Sequence, residues 1–206
     1  FFANSGTEAL ECAIKLARLA TGRSKLIGTY MGYHGLSIGT ISISGLSTWR
    51  DGIGPYLDGT ALVHHGDLES LAQELDEETA AVVLEPIQWA SGCRVPDKEY
   101  FSKVAQMCKD KGGLLILDEV QTGLGRTGYK FALEHWGVKP DILCVGKVLS
   151  GGMIPISAVL FTQEIQDFEG KRSLFNNSSY GGQDIARPAG GALRGGEKRV
   201  RTPDPS

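Results

Sequence analysis

Residues 114–128 read LLILDEVQTGLGRTG, and the first five decide the fold. Leu114 to Leu117 are apolar without alternation. A strand built from them must be buried on both faces, and such strands belong to parallel sheets covered by helices. Asp118 ends the run with a carboxylate and a glycine-rich loop follows. The same signature recurs at Ala80–Glu85 (AAVVLE, stopped by Pro86), Ile142–Val145, Ile156–Phe161 and the shorter Lys25–Tyr30. Helical spacing fills the intervals. Ala9, Ala13, Leu16, Ala17 and Ala20 repeat until Gly22; Asp67 opens a helix carrying Leu68, Leu71 and Leu75; and Phe101, Val104, Ala105 and Cys108 share one face of a helix over Asp97–Lys111. Strands and helices in alternation predict an α/β protein with a mostly parallel sheet and flanking helices. Ser5-Gly6-Thr7-Glu8 predicts a capping box at the first helix. Residues 36–60 carry Gly39, Gly45, Gly52, Gly54 and Pro55 and predict an irregular excursion.

The composition agrees with a folded chain of one domain or slightly more: 206 residues, 41% hydrophobic, 22% charged, net charge −3. That balance excludes a disordered chain and lacks the basic excess of a nucleic-acid binder. No apolar run approaches the ~18 residues of a membrane span. The 28 glycines cluster in loops without a period, which excludes collagen. Cys12, Cys93, Cys108 and Cys144 form no C-x-x-C pair and no zinc spacing. Three of them lie in apolar patterns and read as reduced, buried thiols, favouring a reducing, cytoplasmic compartment. The start, Phe1-Phe2-Ala3-Asn4, reads as a chain entered partway through a strand. From about Arg187 the sequence turns rich in Gly, Arg and Pro. The expected division is one domain over 1–185 and a disordered or non-native tail over 186–206.

Chemistry is expected where ligands gather in such sheets, at the carboxyl ends of the strands. Asp118 is delivered there, with Gln121 three residues on. Lys147 follows Leu143-Cys144-Val145-Gly146 and precedes Ser150-Gly151-Gly152. A lysine buried at that point has its amine pKa lowered, which suits attack on a carbonyl. Ser5-Gly6-Thr7 leaves free amides at a helix N-terminus, an anion site. A carbonyl compound with a phosphate and a protonatable ring nitrogen satisfies all three groups, and pyridoxal 5′-phosphate (PLP) is that compound.

The strings NSGTEA (4–9), GYHG (32–35), EPIQ (85–88), LDEVQTGLGRTG (117–128), PDIL-x-x-GK-x-x-SGG (140–152) and SSYGGQ (178–183) resemble the class III, ω-amino-acid-type aminotransferases of fold type I, in family order. The resemblance implies that residues 1–185 are part of a large PLP-binding domain. It implies phosphate binding by Gly6 and Thr7, stacking of Tyr33 on the pyridine ring with Val120 on the opposite face, Asp118 on the ring nitrogen and Gln121 on the ring hydroxyl. Lys147 becomes the Schiff-base lysine and the acid/base. Ser179, where the family usually has Thr, reaches the phosphate of a partner subunit in a homodimer. The implied reaction is ping-pong transamination from an amine or ω-amino acid to a 2-oxo acid, with an aminomutase, racemase or decarboxylase, or an inactive truncated fragment, as alternatives. Relatives that handle ornithine carry an arginine where this chain has Leu36, and many continue EPIQ with Gly-Glu where it has Trp89-Ala90. With both charge-reading groups replaced by apolar ones, an ornithine-like donor is not expected. Family members are roughly twice as long, so the chain alone is expected to be poorly stable and weakly active.

Five further residues carry plain readings. His34 reads as a packed or loop histidine and Glu85 as a strand end. His64 and His65 face opposite sides of the chain and share no metal. Glu119 points away from Asp118 into interior hydrogen bonds.

Overall fold

The structure, a computed structural model, describes residues 1–169 and 178–182; the expected tail over 186–206 lies outside them. In chain order the elements are β1 (Phe2–Ala3), α1 (Gly6–Thr21), β2 (Lys25–Tyr30), α2 (Ile38–Ile43), β3 (Ser44–Gly45), α3 (Ser47–Arg50), β4 (Thr60–Val63), α4 (Leu68–Glu74), β5 (Thr79–Leu84), α5 (Tyr100–Lys111), β6 (Leu114–Asp118), β7 (Ile142–Val145), β8 (Ser157–Phe161) and α6 (Gln163–Glu169). The strands form a single sheet in the order β1-β8-β7-β6-β5-β2-β3, with β4 also on β2. Pairing is parallel from β3 through β7, and antiparallel for β8 against β7 and for β1 against β8.

The apolar run of β6 is divided between two cores because side chains alternate across a sheet. Leu115 and Leu117 point with Val82, Leu84, Leu143 and Val145 toward Tyr100, Phe101 and Val104 of α5 and Leu71 of α4. Ile116 points with Ala81, Val83, Ile142 and Cys144 toward Ala9, Ala13, Leu16 and Ala17 of α1. Each large side chain buried this way contributes about 1.5–3 kcal/mol. Cys12, Cys108 and Cys144 are buried thiols as expected, and Cys93 is exposed. Burial raises the Cys108 thiol to about 12 and Cys144 well above its ordinary value, which keeps both inert.

Local signals set most boundaries and tertiary contacts moved the rest. Helix α1 ends on Gly22 at φ 70° and α5 on Gly112 at φ 69°, conformations that glycine adopts without strain. The capping box is half-formed: Ser5 Oγ accepts from the Glu8 amide at 3.2 Å, but the Glu8 carboxylate accepts from the Asn4 amide at 2.6 Å. Helix α5 starts three residues later than Asp97, whose carbonyl is occupied in a turn to the Tyr100 amide (3.0 Å) and by the Trp136 indole (3.1 Å). The excursion over 36–60 is more ordered than expected, since it contains α2, β3 and α3. Glu11 of α1 explains the first of these: it accepts the Thr40 amide at 3.0 Å and the Ser37 hydroxyl, tying down the opening turn of α2. Gly28 is required beside it, because a Cβ there would stand 1.9 Å from the Ile43 carbonyl oxygen.

Candidate active site

Four parallel strands and one helix start deliver side chains to the same place. A cavity of about 170 Å³ is lined by Gly6 and Thr7 from α1, Tyr33, His34 and Gly35 beyond β2, and Glu85 and Trp89 beyond β5. Asp118, Val120 and Gln121 at the end of β6 and Lys147 beyond β7 complete it. This is the carboxyl edge of the sheet, where open α/β folds bind ligands.

The floor is buried and hydrogen-bonded. Asp118 Oδ1 accepts from the Val120 amide at 3.0 Å and Oδ2 meets His34 Nδ1 at 2.9 Å. His34 is fixed in turn by its own amide, which donates to Ser44 Oγ at 2.9 Å. Burial would lower the His34 pKa, but the hydrogen bond and charge of Asp118, aided by Glu85, outweigh it and hold it above its ordinary value. The other ring nitrogen, Nε2, is buried with no hydrogen-bond partner among the described residues. Glu85 accepts from the Tyr33 amide at 3.0 Å. Burial raises its carboxyl to about 7; the His34 charge opposes this and the Asp118 charge adds to it. The loop after β5 is anchored by Gln88, whose amide donates to Thr29 Oγ1 and the Tyr30 carbonyl, both at 2.9 Å. Gly6 approaches Val120 so closely that a Cβ would lie 2.9 Å from Val120 Cγ1.

At the mouth, Lys147 Nζ donates to Gln121 Oε1. Lys147 has φ 40° and opens a short 3₁₀ turn over Lys147–Ser150. It is exposed, not buried as expected: the burial at the end of β7 stops at Gly146, and the left-handed residue after it turns the chain out of the sheet.

Of the eight residues expected at the site, Gly6, Thr7, Tyr33, Asp118, Val120, Gln121 and Lys147 line the cavity. Ser179 does not. It is exposed on a turn whose Ser178 hydroxyl accepts from Asn4 Nδ2 at 2.7 Å. Sequence reasoning undervalued His34 and Glu85, and the available signal was the position of each just beyond a buried strand. Glu119 behaves as expected, accepting from the Ala132 and Leu133 amides (2.8 and 2.7 Å) and Thr122 (3.0 Å). His65 is buried, with Nε2 2.8 Å from the Glu85 carbonyl oxygen, while His64 is exposed. Among the described residues no group of acidic, histidine or cysteine side chains forms a metal site, and no helix is long and apolar enough to cross a membrane.

Fold and cavity together define an open-sheet α/β protein with a helix start, a buried carboxyl group and a lysine around one cavity. Residues 1–192 match the family described as aminotransferase class-III, and the chain belongs to that family. Its sheet of eight strands with flanking helices is the fold of the family's PLP-dependent members. It is 36% identical to the ornithine aminotransferase of Toxoplasma gondii, with TM-score 0.85 over 91% of this chain and 46% of that one; that structure has partial occupancy of PLP at its active site. It is 32% identical to an aminotransferase of Bacillus anthracis (TM-score 0.85, 94% of this chain and 50% of that one). It is also 32% identical to a PLP-bound amine transaminase from an uncultivated Pseudomonas species (TM-score 0.85, 93% and 51%). The chain thus spans about half the length of these solved relatives.

Proposed function

We propose that this chain is the cofactor-binding part of a PLP-dependent transaminase that moves an amino group from an amine or ω-amino acid to a 2-oxo acid. The observation that carries the reading is that Lys147, Asp118 and the first two residues of α1, Gly6 and Thr7, line one cavity. The fit to PLP rests on that cavity. The opening amides of a helix have no partner within it and favour an anion. The approach of Gly6 to Val120 keeps the helix start beside the cavity with no Cβ in the way. A buried carboxyl group stands ready for a ring N–H.

Gly6 and Thr7 would hold the phosphate through backbone and hydroxyl. Asp118, steadied by His34 and the Val120 amide, would keep the ring nitrogen protonated. Tyr33 and Val120 would flank the two ring faces, and Gln121 would reach the ring hydroxyl. When bound, PLP supplies an electron sink for charge developing on the donor carbon. Lys147 would hold the cofactor through its amine and, once displaced by the donor amine, would take the proton from the donor Cα as a general base and deliver it to the cofactor's C4′ as a general acid. The exposed Ser179 keeps the role of a phosphate contact across the subunits of a homodimer. With Leu36 in place of arginine, the donor is not recognised as ornithine is.

The test is capture of PLP by the purified chain followed by borohydride reduction and peptide mapping. A reduced adduct on the Lys147 peptide that vanishes in Lys147→Ala supports the proposal. An adduct spread over other lysines, or unchanged in the variant, sinks it.

A further inference from the structure

Three aromatic rings gather at the mouth of the cavity. Tyr33 lies 4.8 Å from Trp49 and 6.0 Å from Trp89 between ring centroids, the latter edge-on at 77°, and the two tryptophans are 6.5 Å apart. Tyr33 and Trp89 both line the cavity. Such clusters hold their rings in fixed relative orientation. Trp89 is fixed by its backbone as well. It opens a short 3₁₀ turn closed by Gly92 at φ 85°, directly after Gln88, which is buried, anchored to β2 and bridged to Arg94.

Among the described residues the cavity is lined by two carboxyl groups, Asp118 and Glu85, while its lysine, Lys147, is engaged by Gln121 and its histidine by Asp118. A donor that placed its own carboxylate beside Trp89 would find there an indole and a nearby acid. An unpaired carboxylate taken out of water in that setting is costly, whereas an aryl or bulky alkyl group gains contact area.

We propose that Trp89 is a specificity-determining residue, the apolar wall against which the side group of an arylalkylamine donor packs. The proposal rests on the transaminase reading and adds the donor class to it.

Reduced, stable conjugates of PLP with an amine measure this selectivity without turnover. The phosphopyridoxyl conjugates of 2-phenylethylamine and of 4-aminobutyrate are titrated calorimetrically into the cofactor-free chain, beside PLP itself. The aryl conjugate is expected to bind at least about tenfold more tightly, equivalent to ~1.4 kcal/mol. Trp89→Ala should remove that preference by weakening the aryl conjugate alone, and Trp89→Phe should restore most of it. If Trp89→Ala weakens both conjugates and PLP equally, the indole only buttresses Tyr33 and the inference falls while the transaminase reading stands. Equal affinity of the two conjugates for the unaltered chain also overturns it. Failure to bind PLP or either conjugate sinks both.

Discussion

The floor and the mouth of the cavity are built on opposite principles. At the floor, Asp118, His34 and Glu85 are buried at 5%, 3% and 3% exposure, and their side chains bond to backbone amides or to one another. At the mouth, Lys147 and Gln121 are exposed and sit on turns. Buried polar groups must be paired, so the floor is held as strongly as the core, and its charges weigh on stability whether or not a ligand is bound. Groups at the mouth can be chosen for reactivity because the fold does not depend on them. Stability and chemistry are therefore separable in this molecule, and the separation can be measured.

The largest effect is expected from His34→Ala. It leaves Asp118 buried with only the Val120 amide, and removing one partner of a buried pair costs about 3–5 kcal/mol. Urea unfolding of variant and unaltered chain reads it; a loss below ~1 kcal/mol would mean that the floor is solvated like the mouth.

Next comes Glu85→Gln, whose effect changes with pH. The folded carboxyl titrates at about 7 against an ordinary 4.5. Between those values the folded chain holds a proton that the unfolded chain has released, so stability falls as pH rises through the window. Above pH 7 the buried charge costs up to roughly 3 kcal/mol. His34, with its pKa raised, stabilises at low pH and loses that contribution as pH rises through its folded value, in the same direction. Glutamine keeps an acceptor for the Tyr33 amide and carries no charge. The variant should match the unaltered chain below pH 4.5 and exceed it above pH 7 in thermal melts taken across the range. Parallel profiles for the two proteins would remove Glu85 from the account.

The smallest effect is expected at the mouth. Lys147→Ala should change unfolding free energy by no more than about 0.5 kcal/mol, although the same substitution is proposed to abolish cofactor attachment. A destabilisation comparable to that of His34→Ala would erase the distinction between the two regions.

The architecture was legible because its signals are local. The apolar runs of β6 and β7 have in the structure the limits expected of them, Leu114–Asp118 and Ile142–Val145. Those of β5 and β8 lie within a residue of expectation, since a strand buried on both faces has no polar position to blur its ends. The region over 36–60 was misread because its order comes from Glu11, a helix away, and no property of residues 36–60 announces that contact. The cavity was legible through polar residues placed just after buried strands, which found Asp118 and Lys147 directly. Glu85 and His34 carry the same positional signal but were discounted, because a strand-ending glutamate and a loop histidine are commonplace until burial is known.

Sequence by itself determined the class of fold, the carboxyl-edge location of the cavity and its lining by Gly6, Thr7, Asp118, Gln121 and Lys147, because strand periodicity and helix starts are properties of neighbours along the chain; Tyr33 and Val120 followed only from the family resemblance. Only the tertiary structure decided that His34 meets Asp118 across 84 residues, that Lys147 stands exposed, and that Trp89 joins Tyr33 and Trp49. Those facts depend on which strands lie side by side and how far each loop reaches beyond them, and both follow from packing the whole sheet at once.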